Sequence, residues 1–238
     1  MKILESLAIF FFDILDKYIH QKKILKNLKK NIKNINIFID IGSHKGTYTD
    51  LILNNFRTKK IYMFEPQRKI YTFIKKKYKS FKKIEIFNQA ISNTNKMKKI
   101  YINKHDLTTS LTKLNKKNFY LKCKAVLFGA NINGMINETY SVRTVKLGEM
   151  IKIKNLKNID LIKIDTEGHE YEVLQGLKSN IKIVKIILIE FHNDNIFINY
   201  NANKIHKYLI NNNFYLQEKI KFPFTTWEDR FYINKINL

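Results

Sequence analysis

A glycine-containing turn joins the first apolar segment of the chain to a segment with helical periodicity, in the sequence FIDIGSHKGTYTD (38–50). The chain has seven glycines in 238 residues, yet Gly42 and Gly46 stand four positions apart here. Because fixing a glycine costs conformational entropy, we expect each of the two to meet a backbone requirement. A turn between a strand and a helix brings backbone N–H groups close to a ligand. The sequence therefore predicts a ligand-binding turn after the first strand.

Short apolar segments alternate with segments of helical periodicity along most of the chain. The predicted strands are 37–41, 60–65, 84–88, 98–103, 160–165 and 184–190, and a terminal hairpin is predicted from 214–219 and 230–234. Helices are predicted over 47–56, where Thr47 and Asp50 have the spacing of a capping box, after Pro66, around 171–177 and over 205–210. A strand–helix–strand–helix–strand order indicates an α/β fold with a parallel sheet and right-handed crossovers.

The first 35 residues are predicted to be helical and to form an extension that packs on the domain. Apolar residues recur there at helical spacing, namely Leu4, Leu7, Phe11, Ile14, Leu15 and Tyr18. The alternative is a basic amphipathic helix that lies on a membrane surface. The domain itself spans 36–238, with an insertion or lid at about 104–140. The apolar run 7–12 is too short for a membrane span or a secretory signal.

The formal net charge of +24 would suit a nucleic-acid partner. However, the lysines accompany an excess of isoleucine and asparagine along the whole chain, as biased codon usage would produce. Arginine, the better reader of bases and phosphates, occurs only at 57, 68, 143 and 230. We therefore expect no specific nucleic-acid partner. The single cysteine, Cys123, fits a reducing compartment, and we expect a cytoplasmic protein.

Acidic residues follow the first two predicted strands. A bulky His44 stands between the two glycines, which disfavours close approach of a pyrophosphate. Asp40 would repel phosphate but suits an ammonium group. Glu65, before Pro66, can accept hydrogen bonds from two ribose hydroxyls. Together these residues indicate S-adenosylmethionine as the cofactor.

The segment after the predicted strand 160–165 is rich in groups that can accept a proton. Methyl transfer requires the nucleophile, methyl and sulfur to be held in line, and a hydroxyl nucleophile also benefits from a general base. The candidates are Asp165, Glu167, His169 and His192, with Asp165 and His169 ranked first, and Lys163 lies on the same strand face as Asp165. Oxygen-rich strand ends would also suit Mg²⁺ held by Asp165, Glu190 and His192, but no tight ligand spacing is present and no metal is predicted.

Four segments resemble the FkbM-type family of S-adenosylmethionine-dependent methyltransferases: FIDIGSHKGTYT, YMFEPQ, NQAIS, and DLIKIDTEGHEYEVLQGL with IILIEFH after it. They span about residues 37–192, and the DLIKIDTEGHE block is the most specific of them. The resemblance implies a class I methyltransferase with a doubly wound, mostly parallel seven-stranded sheet and N-terminal helices. It also implies methyl transfer to a hydroxyl of a sugar or other small-molecule or glycan acceptor.

By position, the resemblance assigns the cofactor to a set of residues at the strand ends. These are Asp40, Gly42, Ser43, Gly46, Glu65 and Pro66, with 88–90 (Asn88 and Ala90 included) along the adenine and Ser110 nearby. The family usually has Ala-Asn where this chain has Ser43 and His44.

Two other functions stay open from the sequence. The net charge suggests an RNA methyltransferase, although the fourth strand ends in IDTEGHE and lacks both an Asn/Asp-Pro-Pro-aromatic run and a Pro-Cys pair. His44 and Lys45 in the glycine turn suggest a catalytically inactive domain that binds a partner.

Overall fold

A computed structural model describes residues 10–12, 14–103, 109–119, 121–123 and 136–236 of the chain. The strands are β1 (Ile37–Ile41), β2 (Lys60–Phe64), β3 (Ile84–Phe87), β4 (Ala90–Ile91), β5 (Met97–Asn103), β6 (Ile136–Val145), β7 (Ile159–Ile164), β8 (Val184–His192), β9 (Phe214–Lys221) and β10 (Trp227–Asn234). The helices are α1 (Gln21–Asn31), α2 (Thr47–Asn55), α3 (Arg68–Lys77), α4 (Leu147–Ile153), α5 (Glu170–Leu177) and α6 (Ala202–Asn211).

Seven strands form the main sheet in the order β3-β2-β1-β7-β8-β10-β9. The first five run parallel, whereas β10 is antiparallel to both β8 and β9. The predicted doubly wound, mostly parallel seven-stranded sheet is therefore confirmed, including the terminal hairpin.

The central strands are apolar because helices cover both faces of the sheet. On one face, Ile39, Ile162 and Ile187 pack with residues of α4, α5 and α6. On the other, Phe38 and Leu161 pack with residues of α1, α2 and α3. Strands buried on both faces read as mostly apolar runs, as in β8, whereas β7 is buried along its whole length but also holds Asp160 and Lys163.

The register brings polar residues of four strands to one edge of the sheet. Asp40 on β1 pairs with Lys163 on β7, and Glu190 on β8 pairs with Asp229 on β10. Because β10 is antiparallel, its amino-terminal half lies beside the carboxyl end of β8. Ligands of open α/β sheets bind outside the carboxyl ends of the strands, so this edge is the expected site.

A second sheet of three strands, in the order β4-β6-β5, was not predicted as a unit. β6 pairs with β5 over most of its length and begins at Ile136, within the predicted insertion 104–140. The last five residues of that predicted insertion are thus part of a strand. Residues 104–108, 120 and 124–135 lie outside the described residues.

The N-terminal extension contacts the domain through some of its apolar residues. Positions 10–12 and 14–15 are helical and lead through a π-helical turn, Asp16–His20, into α1. Leu15 is buried, but Phe11, Ile14 and Tyr18 are exposed, so the predicted apolar stripe does not face the core as a whole. Leu4 and Leu7 lie outside the described residues. Within the described chain, every helix is too short or too polar to cross a membrane.

Candidate functional site

A cavity of about 680 Å³ opens at the carboxyl edge of the main sheet. The turn after β1, the end of β2, the loop after β7, the end of β8 and the β9–β10 connection all contribute to its lining. Eleven of the predicted site residues line it: Asp40, Gly42, Ser43, Glu65, Pro66, Ala90, Ser110, Lys163, Asp165, Glu167 and His169. Of the described residues, Gly46 and Asn88 are predicted site residues that lie outside this lining.

The two glycines of the first turn are required for different reasons. Gly42 has φ +75°, and a Cβ atom there would lie 1.7 Å from the carbonyl oxygen of Asp165. Gly46 has φ +82°, and its Cβ would lie 2.3 Å from the hydroxyl of Tyr78. Gly42 thus lets the end of β7 approach the turn, whereas Gly46 accommodates a side chain that follows α3.

The predicted capping box at the start of α2 is wrong. The N-cap position is Gly46, and no side chain caps the helix there. Thr47 is already the first helical residue, and the Asp50 carboxylate instead accepts a hydrogen bond of 2.7 Å from the Tyr78 hydroxyl. A left-handed glycine at the N-cap therefore replaces the expected side-chain cap.

Two buried carboxylates line the cavity at the ends of β1 and β2. Asp40 accepts a hydrogen bond of 2.7 Å from the Thr49 hydroxyl, and burial raises its pKa to about 6. Glu65 accepts hydrogen bonds from the backbone N–H groups of His44 (2.9 Å) and Gln67 (2.8 Å), and burial raises its pKa to about 7. Raised pKa values indicate that a cation or hydrogen-bond donor from a ligand would stabilise both ionised forms. The sequence did not show that Glu65 is held by the backbone of His44.

Asn88 stabilises this end of the cavity without lining it. Its side-chain amide donates hydrogen bonds to the carbonyl oxygens of Glu65 (2.9 Å) and Pro66 (3.0 Å). It fixes the end of β2 and leaves Ala90 to line the cavity. The predicted contacts of Asn88 and Gly46 with a cofactor stay predictions.

Lys163 is buried in a network that joins four parts of the chain. Its Nζ lies 3.0 Å from the Asp229 carboxylate and 3.5 Å from that of Asp165. Burial works against the charged lysine, but the charges of Asp165 and Asp229 outweigh it and raise its pKa. Asp229 also contacts the Tyr48 hydroxyl (2.7 Å) and His20 Nε2 (2.9 Å). Lys163 therefore stays charged and joins Asp165, which lines the cavity, to the buried Asp229.

The loop after β7 is ordered by hydrogen bonds to one buried carboxylate. Glu170 accepts from the backbone N–H groups of Thr166 (3.1 Å) and Gly168 (3.0 Å), and burial raises its pKa to about 7. The Ser110 hydroxyl donates to the carbonyl oxygen of Glu167. These bonds direct Asp165 and Glu167 toward the cavity.

His169 lines the cavity but is a weak base. Its Nε2 lies 2.9 Å from the Ser92 hydroxyl, and burial lowers its pKa to about 3. A histidine with that pKa is neutral near pH 7 and has little driving force to accept a proton. The lowered pKa of His169 thus favours Asp165 as the base among the two candidates ranked first.

A second polar cluster lies where β8 ends. His192 Nε2 is 3.3 Å from Glu190 Oε1 and 3.7 Å from Glu167 Oε2. The structure therefore groups Glu167 with Glu190 and His192, whereas the possible metal ligands considered from the sequence were Asp165, Glu190 and His192. Burial and the charges of Asp165 and Glu167 raise the pKa of Glu190 well above its usual value.

Several known proteins that resemble this chain are described as methyltransferases. Over 52 residues, 22% of each chain, it is 29% identical to the hexuronic acid methyltransferase AglP of Haloferax volcanii. Its fold resembles the FkbM methyltransferase of Methylobacillus flagellatus, with a TM-score of 0.53 and 12% identity over 84% of this chain and 44% of that one. It also resembles a Pyrococcus horikoshii protein described as an RNA methyltransferase, with a TM-score of 0.51 and 10% identity over 91% and 82% of the two chains.

Identities this low show a shared fold alone, and the chain spans less than half the length of the first two relatives. The sequence profile of the methyltransferase FkbM domain, however, matches residues 40–216, from the end of β1 into β9. That match covers more than half of the chain and contains every predicted site residue. The chain belongs to the FkbM family of methyltransferases.

Proposed function

We propose that this protein transfers a methyl group from S-adenosylmethionine to a hydroxyl group of a sugar, or of another small-molecule or glycan acceptor. The observation that carries the proposal is a single cavity that joins the carboxylates of Asp40 and Glu65 to the acidic loop after β7. The first pair suits the ammonium and ribose groups of the cofactor. The loop supplies Asp165 where an acceptor would lie.

In the proposed reaction an acceptor oxygen attacks the methyl carbon, a C–O bond forms and the C–S bond breaks. S-adenosylhomocysteine leaves, and the hydroxyl proton passes to a base. Asp165 is our choice for this base, because its side chain is partly exposed in the cavity while Lys163 stands 3.5 Å behind it as a counter-ion. Lys163 would then position Asp165 rather than contact the acceptor.

A sugar acceptor draws support from the AglP similarity, because that relative is described as acting on a hexuronic acid. An RNA acceptor fits the cavity less well. Of the described lining residues seven are acidic, Asp16, Asp40, Glu65, Asp165, Glu167, Glu190 and Asp194, and Lys163 is the one lysine or arginine. A carboxylate-rich cavity repels a polyanion, whatever the charge of the outer surface.

The proposal of an inactive domain is also less well supported. His44 takes a left-handed conformation, φ 43°, and lines the cavity rather than filling it. The remaining volume of about 680 Å³ lies within the range of roughly 300–1,000 Å³ that small-molecule sites occupy.

The test is a transfer assay with methyl-labelled S-adenosylmethionine and separate pools of neutral sugars, hexuronic acids and RNA. We expect label in a sugar pool, and Asp165→Asn should lower kcat by about 10²–10⁴. The matched variant His169→Asn should keep more activity, because His169 is already a weak base. Label in RNA alone would refute the sugar proposal, and full activity of Asp165→Asn would refute the assignment of the base.

A further inference from the structure

We propose that Glu167, Glu190 and His192 bind a divalent metal ion at the acceptor end of the cavity, and that this ion contacts oxygen atoms of the acceptor. The contact between the ion and the acceptor rests on the proposed function, whereas binding of the ion does not. The family match and the relatives' descriptions assign no metal to this chain.

The three side chains reach one point from two neighbouring strands. Glu190 and His192 are alternate residues of β8 and therefore project from the same face of the sheet. Glu167 comes from the loop after β7, which Glu170 and Ser110 hold in place. Glu190 is 8% exposed and His192 is 6% exposed, and both line the cavity. The potential ligands are thus fixed before an ion binds.

The separations are close to those of metal ligands. One ligand atom from each residue lies within 4.8 Å of the other two, and the imidazole nitrogen is 3.3 and 3.7 Å from the two carboxylate oxygens. Metal–ligand bonds of about 2.1 Å place neighbouring ligands of an octahedral ion about 3 Å apart. Small side-chain rotations would bring all three to an ion. The remaining coordination positions of the ion would face the cavity.

The charges around the cluster also favour a cation. Asp165 adds a third carboxylate to the lining of the same cavity. Lys163, the one lysine among the described lining residues, is already paired with Asp229 and Asp165. A metal ion would offset these carboxylates. It would also let an acid-lined cavity accept an acceptor that itself carries a carboxylate or two adjacent hydroxyls.

Two carboxylates and an imidazole suit Mn²⁺ better than Mg²⁺, because imidazole is a softer ligand than the oxygen atoms that Mg²⁺ prefers. The competing explanation is an ion pair in which a protonated His192 lies between Glu167 and Glu190 without any metal. The two explanations differ in what they predict for added Mn²⁺.

The test uses the full chain, stripped with EDTA and titrated with MnCl₂ in the absence of cofactor and acceptor, with free Mn²⁺ read by electron paramagnetic resonance. We expect one binding site, with affinity lowered at least about tenfold in Glu190→Gln and in His192→Asn. Glu172→Gln is the matched control, because Glu172 on α5 is not itself a lining residue and pairs with His169 rather than with the three proposed ligands. It should bind Mn²⁺ as the unaltered chain does.

If the unaltered chain binds no Mn²⁺, the proposal is overturned. It is also overturned if Glu190→Gln folds and binds Mn²⁺ as tightly as Glu172→Gln does. The role toward the acceptor is tested separately by the transfer assay. Activity that EDTA abolishes and Mn²⁺ restores would support it, whereas transfer that is unchanged by EDTA would overturn that half. Mn²⁺ binding without any transfer would refute the proposed function and leave the metal site standing.

Discussion

Asp229 offers the sharpest test of how the buried network around Lys163 is held together. Its carboxylate contacts Lys163 Nζ (3.0 Å), the Tyr48 hydroxyl (2.7 Å) and His20 Nε2 (2.9 Å), and both members of the Lys163–Asp229 pair are buried. Asp229→Asn keeps the shape but removes the charge. Lys163 would then retain only Asp165, 3.5 Å away and partly exposed.

Removing one partner of a buried ion pair costs about 3–5 kcal/mol, because the other charge is left buried. For a chain of this length that corresponds to a Tm lower by roughly 6–20 °C. Unfolding in urea can be followed by circular dichroism and by the fluorescence of Trp227, the single tryptophan, which lies 5.2 Å from the His20 ring.

The control is a double variant, Lys163→Met with Asp229→Leu, which removes both charges. We expect it to recover part of the stability that Asp229→Asn loses, because no lone lysine remains buried. The reasoning would be refuted if Asp229→Asn unfolded within about 1 kcal/mol of the unaltered chain, or if the double variant were the less stable of the two.

Three further predictions concern the cofactor end and the loop after β7. Gly42→Ala should lower the free energy of unfolding by at least about 1–2 kcal/mol from its left-handed backbone alone, and it should also weaken cofactor binding. Gly46→Ala should destabilise the fold with less effect on binding. Calorimetry measures binding by the two variants, and urea unfolding measures their stability. The pKa of Asp40 is raised to about 6, so its ionisation opposes folding as the pH rises through 6 but favours binding of an ammonium group. Affinity for S-adenosylmethionine should therefore fall about tenfold from pH 7.5 to pH 5. Calorimetry at the two pH values should show this fall, and a pH-independent affinity would contradict it. Ser92→Ala should leave His169 neutral at pH 7, because burial lowers its pKa to about 3. NMR should therefore find no titration of the His169 ring above pH 5, and a ring that titrates near pH 6.5 would contradict this.

The sheet was predictable from sequence because its strands are continuous apolar runs separated by helical segments, and a parallel sheet places the ends of such strands at one edge. Glu65 and Asp165 end predicted strands and Asp40 is the penultimate residue of another, so their common location in the cavity followed from topology. The match of residues 40–216 to the FkbM profile agrees with the resemblance found in the motifs.

Contacts that depend on strand order were not predictable. Lys163 and Asp229 are 66 residues apart, and they meet only because β10 inserts beside β8 in the sheet. Two acidic residues, Glu228 and Asp229, stand shortly before the run FYI and were the available signal; Arg230 stands between them and that run. His169 was ranked as a base from its position, but its burial and its contact with Ser92 arise from the packing of α5 near β4.

The cofactor proposal is tested most directly by titration calorimetry of the chain with S-adenosylmethionine, in parallel with NAD and ATP. Binding of S-adenosylmethionine alone, weakened in Asp40→Asn, is the expected result, because Asp40 near the end of β1 offers a carboxylate for an ammonium group. Absence of S-adenosylmethionine binding, or equal binding of NAD, would contradict the assignment of Asp40, Gly42 and Glu65 to this cofactor.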